Sequence, residues 1–115
     1  MTDQVERSGD DLLAAIAALA NPIRLRIIAT LTEHRQYVSQ LARDLGISRP
    51  LLHMHLQRLE AAGLVSTDLE LSDSGKAVRY VEVRSFRLEL TPAAISRAVP
   101  TITDGLPSAN PKDKS

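Results

Sequence analysis

Hydrophobic positions along the chain follow two different periods. Residues 10–19 read DDLLAAIAAL, apolar on nearly every side beyond the two aspartates, and a helix of that kind has to be covered rather than left facing water. Asn21 before Pro22 is a helix-start signal, a capping side chain followed by a proline whose missing N–H costs nothing at the first helical position. The second helix is expected to run to about Thr32, with Ile23, Ile27, Ile28 and Leu31 inward. A third starts near Val38 and stops at Gly46, the residue best able to take a left-handed conformation. Ser48 then caps a fourth helix, in which Pro50 sits early enough to be tolerated, and that helix closes at Gly63.

From Leu64 the period becomes two. Val65, Thr67, Leu69 and Leu71 alternate with Ser66, Asp68 and Glu70, the pattern of a half-buried strand. Ser72-Asp73-Ser74-Gly75 is a turn cluster, and the run from Val78 to Val83 returns antiparallel to complete a hairpin. Phe86, Leu88 and Leu90 alternate again, so the chain is expected to stay extended before Thr91-Pro92 opens a short final helix. The fold class is therefore mainly α with one small β-hairpin, and no internal repeat is present. The ordered domain is expected over residues 10–99. Residues 1–9, which are polar, and residues 100–115, with Pro100, Gly105, Pro107 and Pro111, read as a flexible leader and tail.

The third and fourth helices meet the mechanical needs of a helix-turn-helix. Ala42 is small where two helices cross, Gly46 makes the turn, and Ile47 plugs the enclosed angle. On the fourth helix Leu52, Leu56 and Leu59 share one buried stripe at 100° per residue. Pro50, Met54 and Gln57 fall opposite, flanked by Arg49 and His53 on one side and Arg58 on the other. That outer face carries long polar donors and no carboxylate.

With those motifs in place, residues 20–91 resemble winged helix-turn-helix transcriptional regulators of the ArsR-like group. Residues 20–27, ANPIRLRI, are similar to that group's second helix. Residues 41–48, LARDLGIS, are similar to its turn, His55-Leu56 to the His-Leu pair of its recognition helix, and residues 59–65 to the exit into its wing. The resemblance implies that helix 48–62 enters the major groove of double-stranded DNA, that hairpin 64–83 is the wing, and that the first and last helices form a homodimer interface. Leu12, Leu13, Ile16, Leu19, Ile95 and Val99 would line that interface, which supplies a cover for the first helix. The chain departs from the group's metal-sensing members. They carry a cysteine pair on the third helix or His and Asp ligands on the last, where this chain has Ser39, Gln40 and Leu41, and Ala93, Ala94, Ile95 and Ser96.

Composition narrows the alternatives. Fourteen lysines and arginines balance fourteen carboxylates, so basic surface must come from local segregation. Arg24, Arg26, Arg35, Arg43, Arg49 and Arg58 face only Glu33, Asp44 and Glu60 between residues 22 and 63, a surplus of three positive charges, whereas residues 1–21 carry a surplus of three negative ones. Neutralised phosphates supply most duplex affinity, so the helix-turn-helix half is the expected contact. The absence of cysteine excludes disulfides, thiolate catalysis and thiolate metal sites, and suits a reducing compartment. The longest apolar run, residues 12–20, is far shorter than the ~20 residues of a membrane span, and the acidic leader lacks the charge of a secretory signal. The expected location is cytoplasmic, without a membrane partner.

The candidate DNA-binding residues are Ser39, Gln40, Ser48, Arg49, Pro50, His53, Met54, Gln57, Arg58, Lys76 and Arg79. Ser39 and Gln40 open the third helix, where backbone amides can hold a phosphate; Lys76 and Arg79 bring the wing to the backbone or minor groove, diluted by Asp73. Met54 has two readings, a tolerated exposed side chain or a thymine methyl contact. His53 and His55 lie about 200° apart on a helix and cannot share a metal. His55 reads as a packing or a phosphate-facing residue. No metal, cofactor or effector-specific residues stand out, and no phosphate loop or nucleophile elbow supports an enzyme. The competing reading is a winged-helix module that binds protein without specific DNA binding.

Overall fold

The computed structural model describes residues 7–103. Its elements in order are α1 (Gly9–Leu19), α2 (Pro22–Glu33), β1 (Gln36–Tyr37), α3 (Val38–Leu45), α4 (Arg49–Ala61), β2 (Val65–Leu71), β3 (Ala77–Val83) and α5 (Pro92–Ala98), with a final 3-10 turn at Val99–Thr101. The chain divides into two compact units, Ala15–Ser85 and the residues on either side of that stretch.

In the larger unit the local signals act as expected. The Asn21 side chain accepts from Ile23 N at 2.8 Å and Arg24 N at 3.1 Å, starting α2 with Pro22 at its first position. Gly46 takes φ 69° at the end of α3, a conformation in which a Cβ is strained. Ile47 N–H turns back to the Ala42 carbonyl at 3.1 Å, and Ser48 Oγ caps α4 through Leu51 N at 3.3 Å. The core gathers Ile27 and Leu31 of α2, Leu41 of α3, Leu52 and Leu59 of α4, then Leu64, Val65 and Val81, all fully buried. Burying a leucine is worth ~1.5–3 kcal/mol and a cap about 1. Packing of the leucine stripe therefore decides which side of α4 turns outward.

Two expectations about the strands are corrected. The sheet has three strands in the order β1-β3-β2, with Gln36 opposite Val81 and Tyr37 opposite Tyr80. A two-residue strand carries no period, so nothing in the sequence marked it. The β2–β3 hairpin pairs from Val65↔Val83 to Leu71↔Ala77, but its face carrying Val65, Thr67, Leu69 and Leu71 is covered only at its root. Leu69 and Leu71 remain 66% and 77% exposed, because the core ends near Thr67 and the wing projects past it.

In the smaller unit Ser8 begins α1, its Oγ accepting from Asp11 N at 3.1 Å. Gly9 is buried and its N–H donates to Thr101 Oγ1. The Asp10 carboxylate accepts from Thr103 N at 3.0 Å and Thr103 Oγ1 at 2.6 Å, which holds its pKa below the usual carboxylate value. Within the segments read as a leader to residue 9 and a tail from 100, α1 starts at Gly9 and hydrogen bonds reach Thr103. The remainder of those two segments, residues 1–6 and 104–115, lies outside the described residues.

A Cβ on Gly9 would collide with the Ala98 carbonyl oxygen and with Ile102 Cγ1. Gly9→Ala is expected to displace the Val99–Thr101 turn and to destabilise the fold by about 1–3 kcal/mol. A urea midpoint equal to that of the parent chain would show that the backbones separate without cost.

Candidate nucleic-acid interface

The outward side of α4 is bare. Ser48, Arg49, Pro50, His53, Met54, Gln57 and Arg58 are all exposed, while Leu52, His55, Leu56 and Leu59 are buried behind them. Glu60, the one carboxylate of this helix, lies at its far end and accepts from Thr67 Oγ1 of β2 at 2.9 Å. Leu64 N–H donates to the Leu59 carbonyl at 2.9 Å. These two bonds fasten the wing's root to the end of α4.

Of the α3 candidates, Ser39 and Gln40 are half-buried at the first turn, and no side chain caps that helix. Gln40 is already engaged: its Nε2 donates to Asp44 Oδ1 at 2.8 Å and its Oε1 accepts from Arg43 Nη2 at 2.7 Å. Lys76 and Arg79 are exposed at the wing. The strand register puts Arg79 on the same sheet face as Leu69 and Leu71. The opposite face carries Asp68, Glu70 and Glu82 beside Tyr80, so the wing is acidic on one side and cationic only near its tip.

The sequence-level charge count needs correction at two arginines. Arg35 is neutralised: its Nη1 meets Glu70 Oε2 at 2.7 Å and its guanidinium lies 3.8 Å from the ring centre of Tyr80, which stacks on Tyr37 at 4.3 Å. Arg24 is not at the surface at all. Only 8% exposed, it donates from Nε to the Ala18 carbonyl at 2.5 Å and from Nη1 to His55 Nδ1 at 2.9 Å. Since a guanidinium has donors only, His55 Nδ1 is the acceptor and its proton is on Nε2. Burial, then the charges of Arg24 and Arg58, keep the His55 pKa below its ordinary value. This latch was not read from the sequence, although Arg24 stands three and seven residues before the core positions Ile27 and Leu31, a spacing that places it inward.

The first and last helices leave apolar surface bare. Leu13 and Ile16 of α1 are 48% and 36% exposed, Ile95 of α5 is 47% and Val99 after it 53%, while Leu12 and Leu19 are half-buried. Among the described residues no cluster of three or more His, Asp or Glu is placed to hold a metal ion, and no single helix is long and apolar enough to cross a membrane.

Comparison with known proteins agrees with this geometry. The family model described as bacterial regulatory protein, arsR family, matches residues 21–67. An uncharacterized HTH-type transcriptional regulator of Methanocaldococcus jannaschii is 38% identical over 77 residues, covering 67% of this chain and 80% of that protein. The nodulation protein NolR of Rhizobium meliloti is 41% identical over 64 residues, and there the chain spans about half of the relative, 52% of its length. Among solved structures, a homodimeric winged helix-turn-helix DNA-binding domain from Mycobacterium bovis superposes with a TM-score of 0.57 at 23% identity, covering 84% of this chain and 82% of that one. The winged helix-turn-helix fold expected from the sequence is thus shown.

The Arg24–His55 contact generates a pH dependence. The unfolded chain takes up a proton at His55 near its ordinary 6.5, whereas the folded chain resists it. Stability is therefore complete above that pH and falls as pH drops toward the lowered folded pKa. Urea midpoints are expected to decline as pH falls below about 6.5. His55→Asn, which keeps an acceptor for Arg24 without a titrating ring, should flatten that decline. An equally steep decline in the variant would remove His55 from the account.

Proposed function

The chain belongs to the arsR family of bacterial regulatory proteins, and from that premise we propose that it binds double-stranded DNA sequence-specifically, as a cytoplasmic homodimer. In this reading residues 48–62 lie in the major groove and hairpin 64–83 acts as the wing. The single observation that carries it is the two-sidedness of α4. One side is committed to the core through Leu52, His55, Leu56 and Leu59, and the other holds Arg49, His53, Gln57 and Arg58 in water with no opposing carboxylate. Arginine and glutamine are the side chains whose paired donors match guanine and adenine edges. In this reading the first turn of α3, at Ser39 and Gln40, meets phosphate through its backbone amides, and Lys76 and Arg79 meet the backbone beside the wing.

The homodimer is supported by the bare apolar residues Leu13, Ile16, Ile95 and Val99, joined by the half-buried Leu12 and Leu19, and by the homodimeric state of the M. bovis domain. In a two-fold pair the recognition helices address half-sites about one duplex turn apart, ~34 Å. One observation favours the competing protein-binding module: Leu69 and Leu71 on the wing, with an acidic opposite face, are a poor match for phosphate.

Selection of bound duplexes from random DNA separates the two readings. A regulator enriches a pseudo-palindrome, and its affinity falls steeply with salt; a protein-binding module enriches no sequence. Arg49→Ala is expected to weaken binding to the selected site by about 1–3 kcal/mol, and undiminished binding would exclude Arg49 from base contact. Ile16→Glu places a carboxylate in the proposed interface, so sedimentation should report a monomer where the parent chain is a dimer. An intact dimer would put the interface elsewhere.

A further inference from the structure

The exposed side of α4 is not uniformly polar. Met54 is 44% exposed and Leu51 36%, and Pro50 is exposed beside them. Met54 stands four residues after Pro50 and three after Leu51, so the three side chains adjoin on the helix surface. Pro50 has no N–H, the Leu51 N–H is taken by Ser48 Oγ, and none of the three side chains of this strip carries a donor. It is framed by donors instead: Arg49 and His53 on one flank, Arg58 on the other, and Gln57 one turn further.

We infer that Met54, supported by Pro50 and Leu51, reads the 5-methyl group of a pyrimidine in the major groove, thymine in ordinary DNA. This rests on the DNA-binding reading of α4. The strip is only three side chains, Pro50, Leu51 and Met54, too small to seat a partner helix, and the cations that border it fit a polyanion. Along the major-groove edges of the four base pairs the thymine methyl is the one apolar group. A thioether held between guanidinium and amide donors thus has one apolar partner available where those donors find guanine, adenine and phosphate. 5-Methylcytosine presents the same methyl at the same ring position.

The test uses the full chain and the duplex it selects. Each thymine is replaced in turn by deoxyuridine, which keeps every hydrogen-bonding group and removes only the methyl. One thymine per half-site is expected to cost about 4-fold in affinity, the effect of one buried methyl. Met54→Ala should abolish that difference, and Met54→Leu should retain it. With cytosine in place of that thymine, 5-methylcytosine should bind more tightly than cytosine to the parent chain and equally to Met54→Ala. Indifference to every deoxyuridine, a selected site without thymine in the contacted bases, or a uracil penalty that survives in Met54→Ala overturns the inference. Selection of no sequence at all is a different failure and falls on the DNA-binding reading itself.

Discussion

A buried guanidinium ties α4 to the end of α1. Arg24 reaches from the start of α2 to the Ala18 carbonyl in the last turn of α1 and to His55 at the middle of α4. Among the described residues no carboxylate pairs with it. Its desolvation is offset by the negative end of α1 and by the lone pair of a neutral imidazole, both charge-assisted acceptors. Buried charge is costly when a partner is lost, so the arrangement tolerates few alternatives: α4 can neither rotate nor slide without stranding either the guanidinium or Nδ1. That constraint reinforces the outward direction that the leucine stripe gives Arg49, Met54 and Gln57.

The same economy explains where the remaining charge went. Of the arginines between residues 22 and 63, Arg24 is consumed by the latch and Arg35 by Glu70 and the Tyr80 ring. The cation–π contact and the bidentate approach of Arg35 tie the segment before β1 to the wing. That bond is solvent-exposed and contributes little to stability, but it removes a cation from the outer sheet face and leaves Asp68 and Glu82 dominant there. The cations left in water in that stretch are Arg26 on α2, Arg43 on α3 and Arg49 and Arg58 on α4, fewer than a count of residues suggested.

Much of this fold could be read from spacing alone. Asn21-Pro22, Gly46 and Ser48 act through local geometry, which one or two residues determine, and the 3.6-residue stripe of α4 reports its buried side directly. What escaped had a non-local cause. Strand β1 exists because β3 lies beside it, and two residues carry no period. Leu69 and Leu71 kept the alternation of a half-buried strand while the core beneath them had ended. Arg24 was counted with surface cations because its type outweighs its position, although its distance from Ile27 and Leu31 placed it inward. For the interface, the exposed face of α4 was legible residue by residue, since it is the complement of the leucine stripe. The engagement of Gln40 with Asp44 and Arg43 was not, because such bonds depend on rotamers.

The sparse charge of that face has a consequence for assembly. Phosphate neutralisation sets most duplex affinity, and one α4 offers only Arg49 and Arg58 with a few cations nearby. A lone subunit with so few contacts would bind weakly and read too few base pairs to find one site among many. Pairing two subunits makes the second half-site contact intramolecular, which multiplies affinity and doubles the sequence read without any further residue on α4. The apolar side chains left bare on α1 and α5 and the modest polarity of α4 are therefore complementary halves of the proposed design. In the proposed dimer, hydrophobic burial between subunits would supply what electrostatics within one subunit withholds, and it would leave the helix face free to carry the apolar reader inferred at Met54 where a stronger but less selective binder would carry another cation.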